Sequence, residues 1–160
     1  SFARADPLKV GDPAPAVSGT TETGATLAFA DVYAKKTYTL VYFYPKADTP
    51  GCTLQAAEFS DHEGEFGRCN CVILGVSRDD CLTHAAFRDK HGLSIGLLSD
   101  PEGEVCRRYG VLQEKESDGV RRECLVRSTF VIDKKGVIAY STVGAVTPEQ
   151  LKSEVEKVVK

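Results

Sequence analysis

Thr49, Pro50, Gly51 and Cys52 follow one another in the sequence. Threonine is favoured as a helix cap and proline at the first helical position, so this spacing predicts a helix whose third residue is Cys52. The first turn of a helix leaves backbone N–H groups without acceptors and carries the positive end of the helix dipole. A thiol placed there is favoured as the thiolate, the nucleophilic form. Gly51 would let a substrate come close to the backbone. The commoner fate of a cysteine is packing. A packing cysteine belongs mid-strand or on an apolar helix face, the positions of Cys71 and Cys106.

The elements that must carry this turn are legible on either side of it. Thr37–Tyr44 has β-branched and aromatic residues with apolar side chains on both parities, the pattern of a strand buried on both faces. Pro45 ends it, and a short loop delivers the chain to Thr49. The helix is expected to run to about Phe66, with Gly67 marking its end. Cys71–Ser77 reads as a second buried strand. Asp79 and Asp80 start a helix reaching about Lys90, stopped by Gly92. Leu97–Ser99 is a short strand, and Asp100 caps a helix ending at Gly110.

Upstream, Asp12–Ala14 is an extended lead-in and Gly19–Ala25 a turn between two short strands. Downstream, Glu114–Gly119 is polar, a loop or hairpin tip. Ser128–Asp133 and Val137–Ser141 form a hairpin. Thr147-Pro148-Glu149-Gln150 is a capping box, and Leu151, Val155, Val158 and Val159 make the stripe of a last helix. Parallel strands joined by helices and followed by antiparallel strands give an α/β fold with a mixed sheet flanked by helices.

The chain has 160 residues, which suits one domain spanning 1–160, with residues 1–8 expected to be a flexible N-terminal segment. A net charge of −3 argues against nucleic-acid binding, since no basic excess is available to neutralise phosphates. No apolar run is long enough for a transmembrane helix, so no membrane partner is expected. Ala3-Arg4-Ala5 resembles the small-x-small pattern left by signal cleavage, or a trimmed transit segment, and the compartment stays open. The six cysteines are irregularly spaced, with no Cys-x-x-Cys, which removes the simple dithiol motif and the paired zinc knuckle.

Tyr42-Phe43-Tyr44-Pro45-Lys46-x-x-Thr49-Pro50-Gly51-Cys52-Thr53 resembles the active-site motif of peroxiredoxins, Pro-x-x-x-Thr/Ser-x-x-Cys. The Thr-Pro-Gly-Cys-Thr form is similar to the peroxiredoxin Q group, also called bacterioferritin comigratory proteins. Val10-Gly11-Asp12-x-Ala14-Pro15, Gly75–Asp79, Leu98-Ser99-Asp100 and Arg127–Asp133 resemble the same group, in order, along nearly the whole chain.

The resemblance implies a thioredoxin-like fold and a thiol-dependent peroxidase acting on hydrogen peroxide and organic hydroperoxides. In that reading Cys52 attacks the peroxide and becomes a sulfenic acid. Thr49 hydrogen-bonds the peroxide, Pro45 shields the reacting atoms from water, and Arg127 stabilises the thiolate and the leaving oxygen. On local grounds alone Thr49 is an N-cap, Pro45 a strand terminator and Arg127 a surface arginine. The resemblance further implies no metal and no cofactor, a thiol reductant such as thioredoxin, and a monomer.

One departure stands out. Many members of the group have a second, resolving cysteine five residues after the first, where this chain has Ala57. Others have it in the next helix, at a position that aligns with Arg88. Cys81 lies seven residues before Arg88 on nearly the same helical face and is the first candidate for the resolving thiol. An unpaired helix-start cysteine, with an external thiol closing the cycle, is the equal alternative. Cys69 is expected at a strand's edge and Cys124 near the hairpin.

Two readings of other kinds compete. Cys69, Cys71, Cys81 and His84 could surround zinc, though their spacing fits no standard site. A thioredoxin-like disulfide reductase would need the missing Cys-x-x-Cys.

Overall fold

The computed structural model describes residues 6–159. It begins with strands β1 (Ser18–Thr21) and β2 (Thr26–Ala28), then α1 (Phe29–Ala34) and β3 (Tyr38–Phe43). Next come α2 (Pro50–Arg68), β4 (Cys71–Ser77), α3 (Cys81–His91), β5 (Gly96–Ser99) and α4 (Glu104–Arg108). The chain closes through β6 (Leu112–Ser117), β7 (Val120–Leu125), β8 (Ser128–Ile132), β9 (Ile138–Val143) and α5 (Pro148–Val158).

Seven strands form one mixed sheet in the order β2-β1-β5-β4-β3-β8-β9. The centre is parallel, β5-β4-β3, because helices return the chain each time. Every β3 residue is buried, as a two-sided apolar pattern requires. Leu40, Tyr42 and Tyr44 face a core shared with α2, α3 and α5, including Phe59, Phe87 and Leu151. Val41 and Phe43 face the opposite core with Phe29, Val105 and Tyr109.

Two expectations needed correction and one is sharpened. α2 runs through Gly67 to Arg68, because an exposed glycine weakens a helix without ending it. Glu114–Gly119, read as a loop or hairpin tip, is the end of a hairpin, in which Glu114–Ser117 continue β6 and pair with β7 outside the main sheet. The described part of the expected free N-terminal segment is docked: Leu8 N–H donates to Tyr109 O at 3.1 Å, and Ser141 Oγ donates to Leu8 O at 2.8 Å. Gly110 makes room for it, since a Cβ there would lie 2.0 Å from Asp6 O. Residues 1–5, including Ala3-Arg4-Ala5, lie outside the described residues.

No helix among the described residues is long and apolar enough to cross a membrane.

Candidate active site

The loop from Pro45 to Thr49 lies where β3 ends, at the same rim of the sheet as the ends of β4 and β5. α2 starts there and carries Cys52 in its first turn. The thiol is 2% exposed and belongs to the α2 core. Thr49 occupies the cap position with extended backbone, but its hydroxyl does not cap. It donates instead to Lys46 O at 2.7 Å, so its oxygen keeps acceptor capacity and the first-turn amides stay free of it. Pro45 is exposed at the head of the loop.

Arg127 arrives from far along the chain. β8 pairs antiparallel with β3, Ser128 opposite Phe43, which places Arg127 beside the Pro45–Thr49 loop. Its Nη2 donates to Cys52 Sγ at 3.0 Å. Its Nη1 donates to Gln55 Oε1. A guanidinium can hold both partners because its donors form a planar fork.

Gln55 was missed by sequence reasoning. The available signal was a polar residue three positions after Cys52, on the adjoining helix face. Its side-chain Nε2 is buried with no hydrogen-bond partner among the described residues.

Carboxylates anchor the loop from both ends of α3. Asp79 Oδ2 accepts from Ala47 N at 2.8 Å and from Ser77 Oγ at 2.7 Å. Asp48, in left-handed backbone at φ 60°, pairs with Lys90 and His91 at 2.8 Å each. Asp80 caps α3 by accepting from Thr83 N.

Beneath the loop His84 is fully buried. Its Nε2 stands 2.9 Å from the Tyr44 hydroxyl and 2.7 Å from Ser77 Oγ, and its Nδ1 stands 3.1 Å from Ser99 Oγ. Burial lowers the pKa of this imidazole, against the opposing pull of Asp79, Glu22 and Asp80. The folded protein therefore holds His84 neutral, while the unfolded chain takes up a proton near pH 6.5. The stability this neutral ring contributes is present above about pH 6.5 and is lost as pH falls through the lower folded value. Thermal melts between pH 8 and pH 5 should show a falling midpoint, and His84→Gln should flatten that slope. An unchanged slope in the variant would remove His84 as its source.

The zinc reading is overturned. Cys71 opens β4 and Cys69 precedes it, whereas Cys81 and His84 follow the other end of that strand. Among the described residues no three His, Cys, Asp or Glu side chains converge to hold a metal. Cys71 and Cys106 are core thiols: burial pushes Cys71 up to about 12 and raises Cys106 as well. Cys69, Cys81 and Cys124 are half-buried, and all six cysteines are free thiols.

A cleft of about 310 Å³ opens beside Arg127 and Gly51. One wall is Leu54, Gln55 and Glu58 of α2, and the other is Ala145 and Val146.

This sheet with its flanking helices is a thioredoxin-like scaffold, and the protein is a thiol-dependent peroxidase. Residues 10–141 match the AhpC/TSA family, and the chain belongs to it. It is 38% identical to peroxiredoxin Bcp of Escherichia coli K12 over 135 residues, 84% of this chain and 85% of that protein. Peroxiredoxin Bcp of Bacillus subtilis is 37% identical over 129 residues, 81% of either chain. The solved bacterioferritin comigratory protein of Xanthomonas campestris superposes with a TM-score of 0.87 at 26% identity, covering 95% of this chain and all of that one. The peroxiredoxin resemblance read from the Cys52 motif is thereby established.

Proposed function

We propose that Cys52 reduces hydrogen peroxide and organic hydroperoxides, and that Thr49, Pro45 and Arg127 assist it. The contact between Arg127 Nη2 and Cys52 Sγ carries the reading, because it sets a fixed cation against the sulfur at a helix start. The thiolate attacks one peroxide oxygen and the O–O bond breaks. Sulfur is oxidised to the sulfenic acid, and the leaving oxygen takes a proton to become water or an alcohol. Thr49 Oγ1, its own proton given to Lys46 O, accepts a hydrogen bond from the peroxide. Arg127 and the first-turn amides stabilise charge on the leaving oxygen. Pro45 limits water at the mouth of the loop. The Xanthomonas campestris relative is described as having alkyl peroxide reduction activity, in keeping with the organic branch of this substrate range.

For the second half of the cycle we propose Cys81. Cys52 and Cys81 begin helices that follow adjacent parallel strands, at one rim of the sheet, whereas Cys69 and Cys71 lie toward the opposite rim. The Cys81 thiol displaces hydroxide from the sulfenic sulfur, which leaves as water after protonation, and a disulfide forms. α2 must unwind its first turn for the sulfurs to meet within disulfide geometry. A dithiol donor such as thioredoxin then reduces the disulfide, and the enzyme works as a monomer.

One experiment tests both halves. Reduced protein is mixed with an equal amount of hydrogen peroxide and each thiol is followed by mass spectrometry. Cys52 should oxidise first, and a Cys52–Cys81 disulfide should follow. In Cys81→Ser the sulfenic acid should persist until an external thiol is added. Faster loss of any other thiol would sink the Cys52 assignment, and an unchanged Cys52 disulfide in Cys81→Ser would sink that of Cys81.

A further inference from the structure

Resting on the peroxidase reading above, we infer that the cleft beside Arg127 selects uncharged organic hydroperoxides over carboxylate-bearing ones, and that Glu58 sets this choice. Most of the cleft's exposed surface is apolar. Leu54 on its wall is 61% exposed, an open apolar surface facing Ala145 and Val146. A hydrocarbon tail laid there would cover it. Only Arg127 and Glu58 among the lining residues are ionisable.

Those two charges do not cancel for a ligand. The two terminal nitrogens of Arg127 are turned to Cys52 and Gln55. Glu58 lies six residues further along α2, so its backbone is about 9 Å along the helix axis from that of Cys52. Its backbone carbonyl stands 2.8 Å from His62 Nδ1, but its carboxylate has no hydrogen bond or ion pair among the described residues. It therefore faces the cleft as an uncompensated negative charge.

The start of α5 also borders the cleft, through Thr147. A helix N-terminus would attract an anion, but this one is closed. Thr147 Oγ1 accepts from Gln150 N at 3.2 Å, Gln150 Oε1 accepts from Thr147 N at 3.0 Å, and Glu149 adds a negative charge to the same turn. The buried Gln55 Nε2 is a neutral donor, suited to an uncharged oxygen.

The test compares a medium-chain ω-hydroperoxy fatty acid with its methyl ester, each rate being divided by the same enzyme's rate on hydrogen peroxide. The native enzyme should favour the ester about three- to tenfold in kcat/KM, the size of one like-charge repulsion in a half-exposed cleft. Added salt should narrow that preference. Glu58→Gln should bring the ratio close to one, and Glu58→Lys should invert it. Equal use of acid and ester by the native enzyme, or a ratio that neither salt nor Glu58→Gln moves, would overturn the inference while leaving peroxidase activity standing. An enzyme inert toward hydrogen peroxide would overturn the activity itself and the inference with it.

Discussion

A Cys52→Ser protein should consume no peroxide above the background rate of the assay mixture, in a peroxide-loss assay with excess thiol reductant. Serine keeps the shape, so the α2 core closes as before. What is lost is an ionisable, polarisable nucleophile under a fixed cation. Two of the other thiols are sealed in the core. Cys71 is pushed up to about 12 by burial and Cys106 is fully buried. Cys69 lies at the far end of α2. Arg127 contacts Cys52 and no other cysteine among the described hydrogen bonds. Turnover above background in the variant would remove Cys52 from the mechanism.

Arg127→Met should retain about a hundredth to a thousandth of the native kcat/KM, the scale for removing one preorganised charge-stabilising donor. Lysine should rescue only part of this, since a single ammonium cannot span Cys52 and Gln55 as the guanidinium does. Stability should fall too. The buried Gln55, already without a partner at Nε2, would lose the one at Oε1. An orphaned buried amide costs about 1–3 kcal/mol. At about 2–4 °C per kcal/mol for a chain of this size, a melting curve would register the loss. A methionine variant with native turnover would show that the contact to Cys52 Sγ is not used.

The parts of this molecule that could be read from sequence are those with one strong local cause. β3 was legible because apolar residues occupy both parities, and the Cys52 turn because threonine and proline mark a helix start. β6 and β7 were not, because Leu112–Ser117 and Val120–Leu125 carry charge at half their positions and are exposed on either side of their shared turn, leaving no alternation to detect. α1 was missed because it is six residues long and its cap, Ala28, makes no side-chain hydrogen bond. Within the site, the role of Arg127 came only through resemblance. Its approach to Cys52, 75 residues away, is created by the pairing of β8 with β3. Nothing local says that Thr49 turns its hydroxyl back to Lys46, since capping and back-bonding demand the same residue type.

Gly75 illustrates how far a small vacancy reaches. It pairs with Tyr42 across β4 and β3, and a Cβ there would lie 2.7 Å from the Tyr42 ring and hydroxyl. That ring stacks on Phe59 of α2, centroids 4.6 Å apart. The height at which α2 rides above the sheet thus depends on a missing methyl group on β4, outside α2 itself. For anyone re-engineering this enzyme, position 75 is a mechanical adjustment: it acts on the seat of α2 through the Tyr42 ring rather than by replacing Cys52, Arg127 or Gln55.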